Sequence, residues 1–280
     1  MPRRWIAALA CLAALVALAC DGSGSASPRP SGSAPAGAPK VLTALGDSVT
    51  TGFGSCLVLL SCERNSWSSG DGIRVRSLYR RLREDDPGLR AFNRAAPGAR
   101  AAGLADQARA AVRDRADLVT VLIGANDACR DDIDEMTPVA TFRRQVDAAL
   151  TVLRRGRPKA RVLVVSLPDL HRLWEIGHTE SRAVRAWSRG ICPALLADAT
   201  STAPAAAVRR ARFRDRIDAY DAQLRAACRA YGSRCRWDGG AVHRTRFGLD
   251  EVNALDWFHP NAAGQDRLAE VTWNAAGWAD

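Results

Sequence analysis

The chain has 280 residues, room for one large domain or two small ones, and its 47% hydrophobic and 25% charged content is that of an ordinary soluble globular protein. Its formal charge is +10, carried almost wholly by arginine, with Lys40 and Lys159 the only lysines. Such a charge invites nucleic acid, but the arginines alternate with Asp and Glu and no basic run is interleaved with aromatics. No nucleic-acid partner is expected, whereas affinity for an anionic surface stays open.

Met1-Pro2-Arg3-Arg4 is a short positive leader, and residues 5–19 are an almost unbroken apolar run. The run is short for a bilayer span and suits the core of an export signal, so residues 1–19 are read as a signal peptide. It ends in Ala17-Leu18-Ala19-Cys20, which resembles the bacterial lipoprotein processing site. Cys20 would then carry a lipid and anchor the chain at the outer face of a membrane; plain secretion with cleavage nearby is the alternative. The rest of the 20–40 segment is a Gly/Ser/Pro/Ala tether without residues for a core, and the folded domain is expected over 41–280.

Cys11 falls in the signal and Cys20 at the processing site, which leaves Cys56, Cys62, Cys129, Cys192, Cys228 and Cys235. An even set in an exported chain points to disulfides. The short-range pairs Cys56–Cys62 and Cys228–Cys235 would leave Cys129 to join Cys192. Zinc is disfavoured because no C-x-x-C pair occurs and the four histidines lie apart from the cysteines.

Within the domain, Val41, Leu42, Ala44 and Leu45 form a buried-strand run that stops at Gly46, with Asp47-Ser48 directly after it. Residues 72–84 carry Ile73, Val75, Leu78 and Leu82 near helical spacing. Asp86-Pro87-Gly88 is a turn and 89–92 a short strand. A helix is predicted over 101–112, the clearest strand over 117–123, a helix over 138–153 and a strand over 160–167 that Pro168 stops. Region 170–204 is the least regular and reads as an insertion near the site. Long helices are predicted over 208–231 and 260–276. Strands alternating with helices, each strand a near-continuous apolar run, predict an α/β domain with a parallel sheet covered on both faces.

A serine at a strand end projects toward the carboxyl edge of such a sheet, where ligands bind, but needs a base within hydrogen-bond reach to become a nucleophile. The histidines are His171, His178, His243 and His259; in Asp256-Trp257-Phe258-His259-Pro260, Asp256 can fold back onto one ring nitrogen and leave the other to take a proton. The other three histidines are expected to bond locally or face solvent. Two strand-end segments offer donors to an oxyanion: Asn93-Arg94-Ala95-Ala96-Pro97-Gly98 and Gly124-Ala125-Asn126-Asp127. Asp47 is expected to support the serine turn. Trp67 and Trp174 could line a substrate wall or pack in the core, and the acidic run 131–135 reads as a solvated turn.

The four segments, in the order GDS, N-x-A-x-x-G, G-x-N-D and D-x-x-H, resemble the SGNH (GDSL-type) hydrolase family over the whole domain, in the manner of exported actinobacterial lipases and esterases. The resemblance implies an α/β fold of SGNH-hydrolase (flavodoxin-like) type, a three-layer α/β/α sandwich with a central parallel sheet. It also implies serine ester hydrolysis, with Ser48 as nucleophile, His259 as base, Asp256 as the orienting acid, and Ser48, Gly98 and Asn126 as the oxyanion hole. No cofactor and no metal are implied, and the chain is expected to be a monomer acting on a lipid, a small ester or an acylated glycan. An O-acetyl-glycan deacetylase and a non-catalytic envelope-binding lipoprotein are the rival readings.

Overall fold

The structure, a computed structural model, describes residues 38–278; the signal at 1–19, Cys20 and the tether up to residue 37 lie outside the described residues. Five strands form one parallel sheet in the order β2-β1-β3-β4-β5: β1 Val41–Gly46, β2 Arg90–Asn93, β3 Leu118–Leu122, β4 Arg161–Val164 and β5 Cys235–Trp237. The chain leaves β1 for β2 on one side and returns past it to β3 on the other. Connections therefore diverge at the carboxyl ends of β1 and β3, which is where an open α/β sheet leaves a crevice.

Period-two geometry explains why the strands read as apolar without interruption. In β3, Leu118 and Leu122 join Leu42, Leu163, Trp67, Leu78 and Leu268 on one face. Val119 and Val121 join Leu45, Phe142, Val146, Phe213 and Tyr220 on the other. The first face is covered by helices Leu78–Asp85 and Ala262–Ala275, the second by Leu104–Arg113, Val139–Gly156 and Pro204–Tyr231. The three-layer arrangement follows from strands that must hide both faces, each fully buried Leu or Val contributing about 1.5–3 kcal/mol.

Two predicted elements are shortened. The helix expected over 72–84 begins at Leu78, because Ser77 caps it by accepting from the Arg80 amide. The residues before it are drawn into a turn in which the Gly72 amide donates to the Arg64 carbonyl. The strand expected over 160–167 ends at Val164, although Val165 to Leu167 stay buried as the chain enters the site. Region 170–204 contains three short helices, Leu170–Gly177, Ser181–Trp187 and Pro193–Leu196. Among the described residues the disulfides are Cys56–Cys62, Cys129–Cys192 and Cys228–Cys235, as the spacing predicts. The second ties this region to the segment that follows β3.

The turn after β1 is fixed by polar clamps. Gly46 has φ +153°, and a Cβ there would collide with the Leu122 carbonyl oxygen, so only glycine lets β1 close on β3 at this point. Gln107, on the helix that follows β2, accepts from the Gly46 amide at 2.8 Å and donates to its carbonyl at 2.9 Å. Gln107→Ala leaves the buried Gly46 amide short of a partner, while the carbonyl still accepts from the Ala96 amide, and is expected to lower the unfolding free energy by about 1–3 kcal/mol in a urea titration. An unchanged midpoint would show that the clamp contributes nothing.

Candidate active site

Ser48 follows β1 in a tight turn whose Thr50 and Thr51 amides both donate to the Asp47 carbonyl at 3.1 Å. Two more clamps hold this turn. Asn93, at the end of β2, donates to the Thr50 carbonyl at 2.8 Å. Gln265, on the last helix, donates to the Val49 carbonyl at 2.8 Å and accepts from the Trp67 amide at 2.9 Å. The serine is thereby tied to the element that directly follows His259.

The 256–259 segment folds back on its own carboxylate. Asp256 Oδ1 accepts from the Phe258 amide at 2.9 Å and the His259 amide at 3.1 Å, while Oδ2 lies 2.7 Å from His259 Nδ1. His259 Nε2 in turn lies 2.9 Å from Ser48 Oγ. The fold-back requires Trp257 at φ +54°, and its strain is met by packing and by the Trp187 indole, which donates to the Trp257 carbonyl at 3.0 Å. Asn253 donates to the Gly54 carbonyl, and the Phe53 ring packs 4.7 Å from the imidazole, so the histidine is held against the serine turn.

The two strand-end donor segments meet each other. Asn126, in the short helix Ala125–Ala128 after β3, donates through Nδ2 to the Ala99 carbonyl at 3.1 Å. Its second N–H remains for another acceptor. Asp127 Oδ2 accepts from the Ala101 amide at 2.9 Å, pinning the same loop. Gly98 sits in that loop at φ +76° with open space where a Cβ would point. Ser48, Asn126 and His259 line one cavity, whose other walls include Leu122, Leu170, Leu173, Val252, Phe258 and Leu268. Gly98 and Asp256 are outside its lining, the second because it is buried behind the imidazole.

The remaining candidates take structural places. Trp67 is fully buried in the core with its indole donating to Thr50 Oγ1, and Trp174 donates to the Ala199 carbonyl beneath the Arg210 guanidinium. His171 lies beside Glu175, His178 Nδ1 faces the Trp174 and Glu175 carbonyls, and His243 lies between Asp218 and Asp221. Among residues 131–135 all but Ile133 are exposed, with Asp134 paired to Arg212 and Glu135 to Arg130. The clamps Gln107, Gln265 and Asn253 lie outside the motifs, and Asn93, although it opens the N-x-A-x-x-G motif, serves as a clamp on the serine turn. A signal existed for two of them: Gln107 falls one turn from Leu104 and Ala111, and Gln265 one turn from Ala262 and Leu268, each a polar residue on a core-facing stripe.

A parallel α/β sheet here carries a carboxylate, an imidazole and a serine in hydrogen-bond series at its carboxyl edge, an arrangement able to activate a serine hydroxyl. The family model for the GDSL-like lipase/acylhydrolase family matches residues 44–267, and the chain belongs to this family of ester hydrolases. It is 30% identical over 195 residues to the membrane-associated phospholipase B1 of Rattus norvegicus, covering 56% of this chain and 13% of that protein. It is 28% identical over 284 residues to the Homo sapiens protein of the same name, covering 84% and 19%. The chain thus spans less than a fifth of the length of these relatives. Among solved structures, an extracellular lipase from Streptomyces rimosus superimposes with a TM-score of 0.52 at 19% identity, covering 85% of this chain and 99% of that one. An acetyl-xylooligosaccharide esterase from Geobacillus gives 0.52 at 15% identity, covering 85% and 94%. These two likenesses are of fold.

Asp47 supports the turn by accepting from the Val49 amide at 2.9 Å, but its Oδ2 is buried with no protein partner. Burial pushes its carboxyl up to about 6, against a pull downward from the Val49 amide and the nearby His259. The folded state therefore takes up a proton between about pH 4, where a free Asp titrates, and pH 6. The group's contribution is fully present below pH 4 and is lost as pH rises through 6, by roughly 3 kcal/mol in all. Comparing the chain with Asp47→Asn in urea, the stability difference should move toward the variant by up to about 3 kcal/mol between pH 4 and pH 8. A difference independent of pH would contradict the shift.

Proposed function

We propose that the chain is an extracytoplasmic serine ester hydrolase that works through an acyl-enzyme on Ser48. The observation that carries this reading is the unbroken series from Asp256 Oδ2 through His259 to Ser48 Oγ, with contacts of 2.7 and 2.9 Å. The carboxylate at Nδ1 favours the tautomer with its proton there, leaving Nε2 to accept the serine proton. As Ser48 Oγ attacks the ester carbonyl, its proton passes to Nε2, and Asp256 stabilises the imidazolium. The carbonyl oxygen becomes an oxyanion held by the Ser48 and Gly98 amides and the second N–H of Asn126. Collapse expels the alcohol, which leaves with the proton from Nε2. Water then repeats the cycle on the acyl-serine, releasing the acid and restoring the hydroxyl.

The cavity beside Ser48 supports an acyl group longer than acetyl, since Leu122, Leu173, Val252 and Leu268 offer an acyl chain apolar walls. Lipid esters fit this best, in keeping with relatives named as phospholipases. An exported, lipid-anchored location draws support from the leader and Cys20 motif, from three disulfides, and from likeness to a lipase named as extracellular.

On p-nitrophenyl esters of increasing length, kcat/KM should rise from acetyl toward octanoyl. Asn126→Ala should lower kcat about 10²–10³-fold while its circular dichroism melt stays near that of the parent. A folded, oxidised chain that hydrolyses none of these esters would refute the enzyme reading. A preference for acetyl would transfer it to short-acyl substrates such as O-acetyl glycans.

A further inference from the structure

The stretch that follows the serine turn carries an uncommon surface. Between Cys56 and Cys62 lie four consecutive aliphatic residues, Leu57, Val58, Leu59 and Leu60, exposed to 74%, 51%, 41% and 66%, and nearby Ile73 is exposed to 85%. A run of this kind on a globular protein has no folded-state reason to exist unless something covers it. The loop is stiff. The disulfide closes it, the Gly54 amide donates to the Leu60 carbonyl, the Cys62 amide donates to the Thr51 carbonyl, and Asn65 Nδ2 donates to the Ser55 carbonyl at 3.1 Å. The aliphatic side chains are thus held outward instead of folding back. Leu57 and Ile73 share a shallow groove with Arg64 and Arg74, and no carboxylate lines it.

We infer that this loop, with Ile73, Arg64 and Arg74, is a docking surface for an anionic lipid bilayer. Aliphatic side chains enter the acyl boundary while guanidinium groups meet headgroup phosphates, the division of labour found in interfacial anchors. Glu63 and Asp71 are exposed on the same stretch, but neither lines the groove. Each arginine near an anionic surface strengthens attachment by about fivefold. A second copy of the chain is a poorer occupant, since a two-fold contact through this patch would set Arg64 and Arg74 against the same residues of the other copy. The loop's stems bond to residues 51 and 54, the latter packed on Asn253 and His259. Docking therefore fixes the serine turn itself against the lipid.

Hydrogen exchange on the full chain, carrying Ser48→Ala so that lipid is not consumed and Cys20→Ser so that no lipid anchor holds it, tests this with vesicles of phosphatidylglycerol and phosphatidylcholine in equal parts. Amides of 56–62 should exchange several-fold more slowly on these vesicles, with the protection weaker on phosphatidylcholine alone and in high salt. Leu57→Ser with Ile73→Ser should weaken vesicle partition at least tenfold, and in the Ser48 chain should leave hydrolysis of a water-soluble short ester unchanged. No protection at 56–62 overturns the inference, as does protection that survives the double substitution. A dimer that the double substitution dissolves, without vesicle protection, assigns the surface to a second copy. Because docking is read on a chain lacking the serine hydroxyl, its failure leaves the ester-hydrolase reading intact, and the reverse.

Discussion

The contact between His259 Nε2 and Ser48 Oγ joins residues 211 positions apart, and most of the structure can be understood as what holds them at 2.9 Å. Neither segment keeps this geometry alone. The serine turn is set by the end of β1 and by Gln107; the histidine is set by Asp256, by the strained Trp257 and by the start of the last helix. Gln265 and Asn253 connect the two, one from each side of the histidine. A hydrogen bond of this length between freely moving loops would be outweighed by the entropy of ordering them, so the clamps are what make it persist.

The clamps share a chemical style. Each is an amide side chain, uncharged and able to donate and accept at once, placed among buried backbone groups that no strand or helix partner reaches. A charged residue in these places would bring a desolvation cost of the kind that Asp47 shows. There burial raises the affinity for a proton, and the Val49 amide and the neighbouring imidazole offset only part of that effect. Asp127, also raised by burial, spends one oxygen on the loop that carries Gly98. Carboxylates at this site are thus tolerated where they orient backbone or imidazole.

Much of this was legible in the residues. β1 and β3 announce themselves because strands buried on both faces have no polar face to break the apolar run; the first three motifs follow strands that the sheet brings together, and the fourth precedes the last helix. β5 was not foreseen. Cys235–Trp237 is three residues long at the sheet edge, with an exposed arginine in its middle, and carries neither an apolar run nor a turn signal. Helix 72–84 was overextended because Ile73 and Val75 fit the helical period, although Ile73 is in solvent and the glycines at 70 and 72 pack against the 64–66 backbone. Periodicity cannot tell an apolar residue that faces the core from one that faces outward. Position 73 and the Cys56–Cys62 loop are where that ambiguity carries meaning.

The site combines a polar series at the sheet edge with an apolar cavity beside it, and the serine sits where the two meet. Everything proposed for its chemistry depends on Ser48 being more reactive than the other serines of the chain, and on His259 making it so. Reaction with a fluorophosphonate, followed by mass spectrometry of the digested chain, reads this directly. One adduct is expected, on the peptide carrying Ser48 and absent from His259→Ala. An adduct on another serine, labelling that survives Ser48→Ala, or no adduct on the folded and oxidised chain would contradict that expectation.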